Sequence, residues 1–314
     1  MKSLVVSLMI CCGAFFANNF VYAQTWTPSS SNTNKNWEYK EWGCVVSSAD
    51  GVKLVATADD DGIYTSTNSG VTWEQTTAPG LLVSWPSITS SADGSKLAAV
   101  SSGLNGGYIY TSTNSGATWT PFINYIGSTP SGQNWTAIAG SADGTKLLAS
   151  VFNGALYSST NGGNTWETNG LSSHDYWGCL ASSADGTRLA AGTAGDSASI
   201  YISTNTGATW TKSLLPEQGS YVFIGSADGT KLALIGSTRY FSKNWGATWN
   251  TNITTPMYHP PVAGSADATK VICSGGFNVV YSSMDSGISF ITNDLPAVDW
   301  SGFAARLMAT NWWR

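Results

Sequence analysis

An all-β chain of repeated four-stranded sheets is predicted by three observations. The turn SADG recurs at 48–51, 91–94, 141–144, 183–186 and 226–229, and once more as SADA at 265–268. A second motif, STNSGATW at 112–119, returns as STNSGVTW, STNGGNTW, STNTGATW and SKNWGATW. The composition of 34 Gly, 15 Trp and only 11% charged residues favours turns and strands over helices. Copies follow one another at roughly 40–50 residues, the period of a propeller blade. One such sheet cannot bury both its faces, so the units must stack radially into a single β-propeller.

The elements follow in chain order. Lys2 precedes an apolar run over 4–16, and Val21-Tyr22-Ala23 presents small residues where a signal peptidase reads. Residues 1–23 are therefore expected to be a secretory signal, with the mature chain starting at Gln24 and residing outside the cell or in a periplasm. The apolar run is too short to span a bilayer, so no membrane span is expected after cleavage. Cys11 makes a poor lipoprotein site because Ile10 stands where a small residue is needed.

The unit at 135–169 splits into four strand-sized pieces at SADG, at Asn153-Gly154 and at TNGG, an antiparallel meander. Six clear units occupy about 42–291. Residues 24–30 read like a last strand and 298–314 open like a first strand, so a seventh blade shared by the termini closes the ring of the 24–314 domain. Six blades and a clasp is the alternative.

In STNSGATW the Asn accepts hydrogen bonds from backbone N–H groups, the Gly takes a positive φ, and Thr and Trp re-enter a strand. That is turn chemistry. Trp73, Trp119, Trp166, Trp210 and Trp249 are expected to pack between sheets. The motif resembles the Asp-box of sialidase-like (BNR) propellers, Ser-x-Asp-x-Gly-x-Thr-Trp. Asn68, Asn114, Asn161, Asn205 and Asn244 replace the Asp, while a sixth copy keeps Asp285 and ends in Phe290. The resemblance implies boxes between third and fourth strands, away from any active centre. Relatives of this architecture include sialidases, xyloglucan-acting glycosidases, photosystem II assembly factors and lectins. A sialidase resembling its family needs three converging arginines. Of the four here, Arg188, Arg239, Arg306 and Arg314, the first fills a repeat slot, the last ends the chain and none is near its start. This disfavours classical sialidase chemistry, and so few arginines also disfavour docking of the assembly-factor kind.

Eight residues before each SADG Asp stand Trp42, Trp85, Trp135, Trp177, Ser220 and His259, with Trp300 as the counterpart in the last unit. These open the first strands and would ring one mouth of the channel. They are either an aromatic platform for a sugar or peptide or wedges between blades. His259, His174 and Asp175 depart from the repeat and are candidate ligand-binding groups, although no zinc-ligand spacing surrounds them. Glu41 and Asp299 each precede a ring Trp. A carboxylate pair roughly 5–5.5 Å apart retains, and one roughly 6.5–9.5 Å apart inverts, in glycoside hydrolysis. Asp59, Asp60 and Asp61 on the same rim could hold calcium, or all these groups could be solvated loop charges.

Cys44, Cys179 and Cys273 remain after signal cleavage, an odd number that leaves at least one thiol unpaired. A formal net charge of −5 offers no basic stripe for phosphates, which excludes nucleic acid as a partner class. The function expected is a secreted, monomeric, non-enzymatic binder of glycan or protein at the aromatic mouth, with no cofactor unless calcium. The alternative is a carbohydrate-active hydrolase or lyase using Glu41 and Asp299.

Overall fold

A computed structural model describes residues 42–80, 83–103, 106–122, 133–172, 176–194, 199–213, 222–236, 238–251, 262–274, 279–286 and 288–294. These form six four-stranded antiparallel sheets, each a meander in chain order. The first blade comprises Trp42–Ser47, Leu54–Ala58, Gly62–Ser66 and Glu74–Gln75. Its second strand is buried at every residue, because a middle strand of a stacked sheet has protein on both faces. Its fourth strand is exposed throughout, as expected for the outer edge of a ring.

The core lies between sheets, and strand alternation decides which gap each side chain fills. In the second strand of the second blade (Leu97–Ser102), Leu97 and Ala99 pack with Val46 and Ile63 of the first blade. Ala98 and Val100 point the other way, to Ile138 and Leu147 of the third. The same arrangement joins the third blade to the fourth, the fourth to the fifth and the fifth to the sixth. Trp119, Trp166, Trp210 and Trp249 sit against these inter-blade clusters, as predicted, with Phe290 in the corresponding place at the last. Trp166 is buried; the others, like Trp73, are half-buried.

The SADG turn does more than close its own hairpin. The amide of its Ala donates to the carbonyl of the corresponding Ala in the next blade: Ala49 to Ala92, Ala92 to Ala142, Ala142 to Ala184, Ala184 to Ala227 and Ala227 to Ala266, at 2.6–2.8 Å. A backbone ladder thus threads all six described blades. Lysines reach along it, with Lys96 Nζ donating to Asp143 O at 2.9 Å and Lys146 Nζ to Asp185 O at 2.7 Å. Gly186 explains why the motif ends in glycine. Its φ is 65°, and a Cβ there would lie 2.7 Å from the Lys146 stem.

Consecutive first strands touch from the first blade to the sixth, and among the described residues no comparable contact joins the sixth to the first. Even so, Val45 and Leu54, on the face of the first blade that would meet a predecessor, are 0% and 1% exposed, matching Ile88 and Leu97 of the second blade at 0% and 3%.

Candidate functional site

The two ends of the ring differ. At one end lie the SADG turns and the Asn boxes. At the other lie the starts of the first strands and the turns joining second to third strands, since Trp42 pairs with Ala58 and Ser47 with Leu54.

The boxes behave as the sequence indicates. Asn114 Oδ1 accepts from Thr118 N at 2.9 Å, and Ser112 Oγ accepts from Gly116 N at 3.0 Å. The residue before the Gly also takes a left-handed φ, 57° at Ser115 and 51° at Trp245, which the sequence reading had not anticipated. Trp245 is consequently driven inward, and its Nε1 donates to Leu189 O of the preceding blade at 3.3 Å.

Trp42, Trp85, Trp135 and Trp177 are 8%, 0%, 7% and 0% exposed. They do not form an aromatic platform, and for these four the wedge alternative holds. The strand register shifts just after each Trp, a β-bulge that turns the indole and the residue three further on to the same inter-blade face. There each ring meets the edge or face of its blade's third-strand tyrosine, with centroids 5.4 Å apart for Trp42–Tyr64, 5.3 Å for Trp85–Tyr110, 5.4 Å for Trp135–Tyr157 and 5.6 Å for Trp177–Tyr201. Trp177 Nε1 donates to Gly154 O at 2.9 Å in the third blade.

Asp59, Asp60 and Asp61 do not converge as calcium ligands. Asp59 accepts from Trp85 N at 2.9 Å and Ser84 Oγ at 3.0 Å, tying the first blade to the second. Asp61 accepts from the Tyr64 hydroxyl, whose pKa burial pushes up. Asp60 stands exposed at the tip with φ 56°. Among the described residues no group of three or more His, Cys, Asp or Glu is placed to hold a metal ion. Glu41, His174, Asp175, His259, Asp299 and Trp300 lie outside the described residues, as does Ser220.

The structure exposes a pair that sequence reasoning missed. Phe152 occupies the turn position of Asp59, and Tyr176, like Ser84, precedes a ring Trp. In place of a polar tie, these two rings meet across the third and fourth blades with centroids 5.2 Å apart. They are 43% and 45% exposed, and they are the exposed aromatic side chains among the described residues. Aligning the turns copy against copy would have flagged Phe152.

A second departure lies in the core. Ile63, Ile109, Leu156 and Ile200 precede the third-strand tyrosines and are at most 2% exposed, whereas the fifth blade places Arg239 there, equally buried. Its guanidinium stacks 4.8 Å from the Phe290 ring centre, across the interface where the other boxes present Trp.

The electrostatics separate the two ends. Ser141 and Ser183 hydroxyls donate to Asp143 and Asp185, and despite partial burial these bonds hold the two carboxyls down to about 2. Those aspartates and the lysines beside them belong to the SADG end.

No protein-family model matches the chain, nor does any curated protein. Solved structures do resemble it. YCF48 from Cyanidioschyzon merolae aligns with TM-score 0.61 and 15% identity over 82% of this chain and 86% of that one. YCF48 bound to a D1 peptide aligns with TM-score 0.58 and 15% identity over 80% of each chain. An ancestral GH74 enzyme aligns with TM-score 0.52 and 17% identity over 67% of this chain and 31% of that one. At such identities the likeness defines the fold, and that fold is the β-propeller built of four-stranded antiparallel blades.

Proposed function

We propose that this protein is a secreted, non-enzymatic binding propeller whose glycan or protein ligand rests on the end of the ring where the first strands begin. The exposed Phe152–Tyr176 pair carries this reading. Aromatic surface left in water at a joint that is closed by a polar tie elsewhere is surface available to a ligand. The opposite end is occupied by repeated turn bonds that serve the blades themselves. The fold accommodates either role, since YCF48 is found with a D1 peptide and GH74 proteins are enzymes.

Nuclear magnetic resonance of the mature chain, titrated with polysaccharide and protein fractions, tests the reading. Shifts should move at Phe152, Tyr176 and their neighbours, and the box residues should stay still. Release of new reducing ends from any fraction, or shifts confined to the boxes, would overturn it. Export is tested by N-terminal sequencing of the protein recovered outside the cytoplasm, where Gln24 should be the first residue. Among the described residues no helix is long and apolar enough to cross a membrane.

A further inference from the structure

We infer that the ligand of this end is an uncharged sugar chain, one of whose rings packs on the Phe152–Tyr176 pair; this deepens, and rests on, the binding function proposed above.

Charge is the first argument. Each described blade places one cation where its second strand begins, from Lys53 to Lys270, and these belong to the SADG end. Lys243 lies in a box, Lys212 on an outer strand (Thr211–Ser213), and Arg239 is buried between blades. Among the described residues the end bearing Phe152 and Tyr176 therefore presents no lysine or arginine at its surface, while Asp60 stands exposed on it. A sialate, uronate, sulfate or phosphate group giving up water there would meet no counter-charge among the described residues, a cost left uncompensated by them. A neutral ligand meets no such cost.

The second argument is chemical fit. The flat C–H face of a pyranose matches an aromatic surface, and its hydroxyls both donate and accept. Beside Phe152 stand Asn153, exposed at φ 50°, and Asn134, exposed at the strand start, whose carbonyl accepts from Phe152 N at 2.7 Å. An amide side chain also donates and accepts at once, so it can satisfy a hydroxyl in either sense. The bond from Phe152 N fixes the aromatic turn against that strand start, so the stacking surface and one of the amides keep a set spacing.

Titration calorimetry of the mature protein tests this, using cellohexaose, mannohexaose, xylohexaose and laminarihexaose as neutral probes. Hexagalacturonate and sialyllactose serve as acidic probes, and an oligo-lysine peptide as a cationic one. At least one neutral probe should bind, and Phe152→Ala or Tyr176→Ala should weaken it by roughly tenfold or more. Both side chains are largely exposed, so either truncation should lower the thermal midpoint by no more than a few degrees, and a loss of binding will not reflect unfolding. The acidic probes should not bind. If no neutral probe binds, if an acidic probe binds as tightly, or if the neutral affinity is unchanged in both variants, the inference fails. Binding of the peptide alone, abolished by the same variants, would overturn the sugar assignment and leave a binding propeller standing. Silence from every probe, with no resonance shift at this end, would count against both.

Discussion

At the scale of single residues, the box shows how an amide substitutes for a carboxylate. Asn114 Nδ2 donates to Thr118 Oγ1 at 2.9 Å, so that hydroxyl acts as acceptor. In the copy that keeps its acid, Ser289 Oγ donates to Asp285 Oδ2 at 2.6 Å, the reverse sense. The hydroxyl adapts to either partner. Asn114→Asp is therefore expected to leave stability at neutral pH within about 0.5 kcal/mol, whereas Asn114→Ala removes the exposed bonds to the Thr118 amide and hydroxyl and should cost about 0.5–1.5 kcal/mol in urea unfolding. The box was legible in the sequence because each bond is made by a named side chain at fixed spacing. Phe152 was legible only by comparing the turns copy against copy, and its pairing was not legible at all, since its partner Tyr176 is 24 positions away, in the next blade.

At the scale of elements, the sheets were readable and their joints were not. SADG, the Asn-Gly turn and the box marked the ends of strands correctly. The Ala-to-Ala ladder left no trace, because it is made by backbone groups that every residue carries. Ala142→Pro should reveal it. The substitution removes the donor to Ala184 O without touching the core, and is expected to lower stability by roughly 1–3 kcal/mol; Ala142→Ser, which keeps the donor, should be near neutral. The ring tryptophans were located by counting, yet counting could not distinguish a channel-facing side chain from a wedge. The β-bulge after each Trp decides that, and a bulge is a property of paired strands. Trp177→Ala, which empties the gap between the third and fourth blades, is expected to cost about 3–5 kcal/mol.

Considered as a whole molecule, the ring carries its ionisable groups asymmetrically, and acid should act on one end first. Asp143 and Asp185 sit below the ordinary carboxyl value, so the folded state binds their protons less readily than the unfolded chain does. Their contribution is present above about pH 4 and is lost as pH falls towards 2. The thermal midpoint should stay level from pH 7 to 5 and then drop, with a shallower drop in the Asp143→Asn, Asp185→Asn double variant. Ring closure is the other property of this scale. We propose that 24–30 and 298–314 supply the closing blade. Support comes from Val45 and Leu54, buried on a face that no described blade covers. Removal of 298–314 should lower the thermal midpoint and open those residues to hydrogen exchange; an unchanged midpoint would contradict the proposal.

Near-identical blades also create a hazard of identity, because a sheet emerging from the ribosome could dock on the wrong neighbour as readily as on the right one. Arg239 and Phe290, which depart from the repeat at one joint, are expected to act against that error. An isoleucine in place of Arg239 would lose the stacking of the guanidinium 4.8 Å from the Phe290 ring centre, and among the described blades this pairing stands at one joint. The expected effect of the pair is that of an address, marking the sixth blade as the neighbour of the fifth. A chain that swaps both, Arg239→Ile with Phe290→Trp, could remain as stable as the original and yet refold with more misjoined species, so that a gain of symmetry would show itself as a loss of yield.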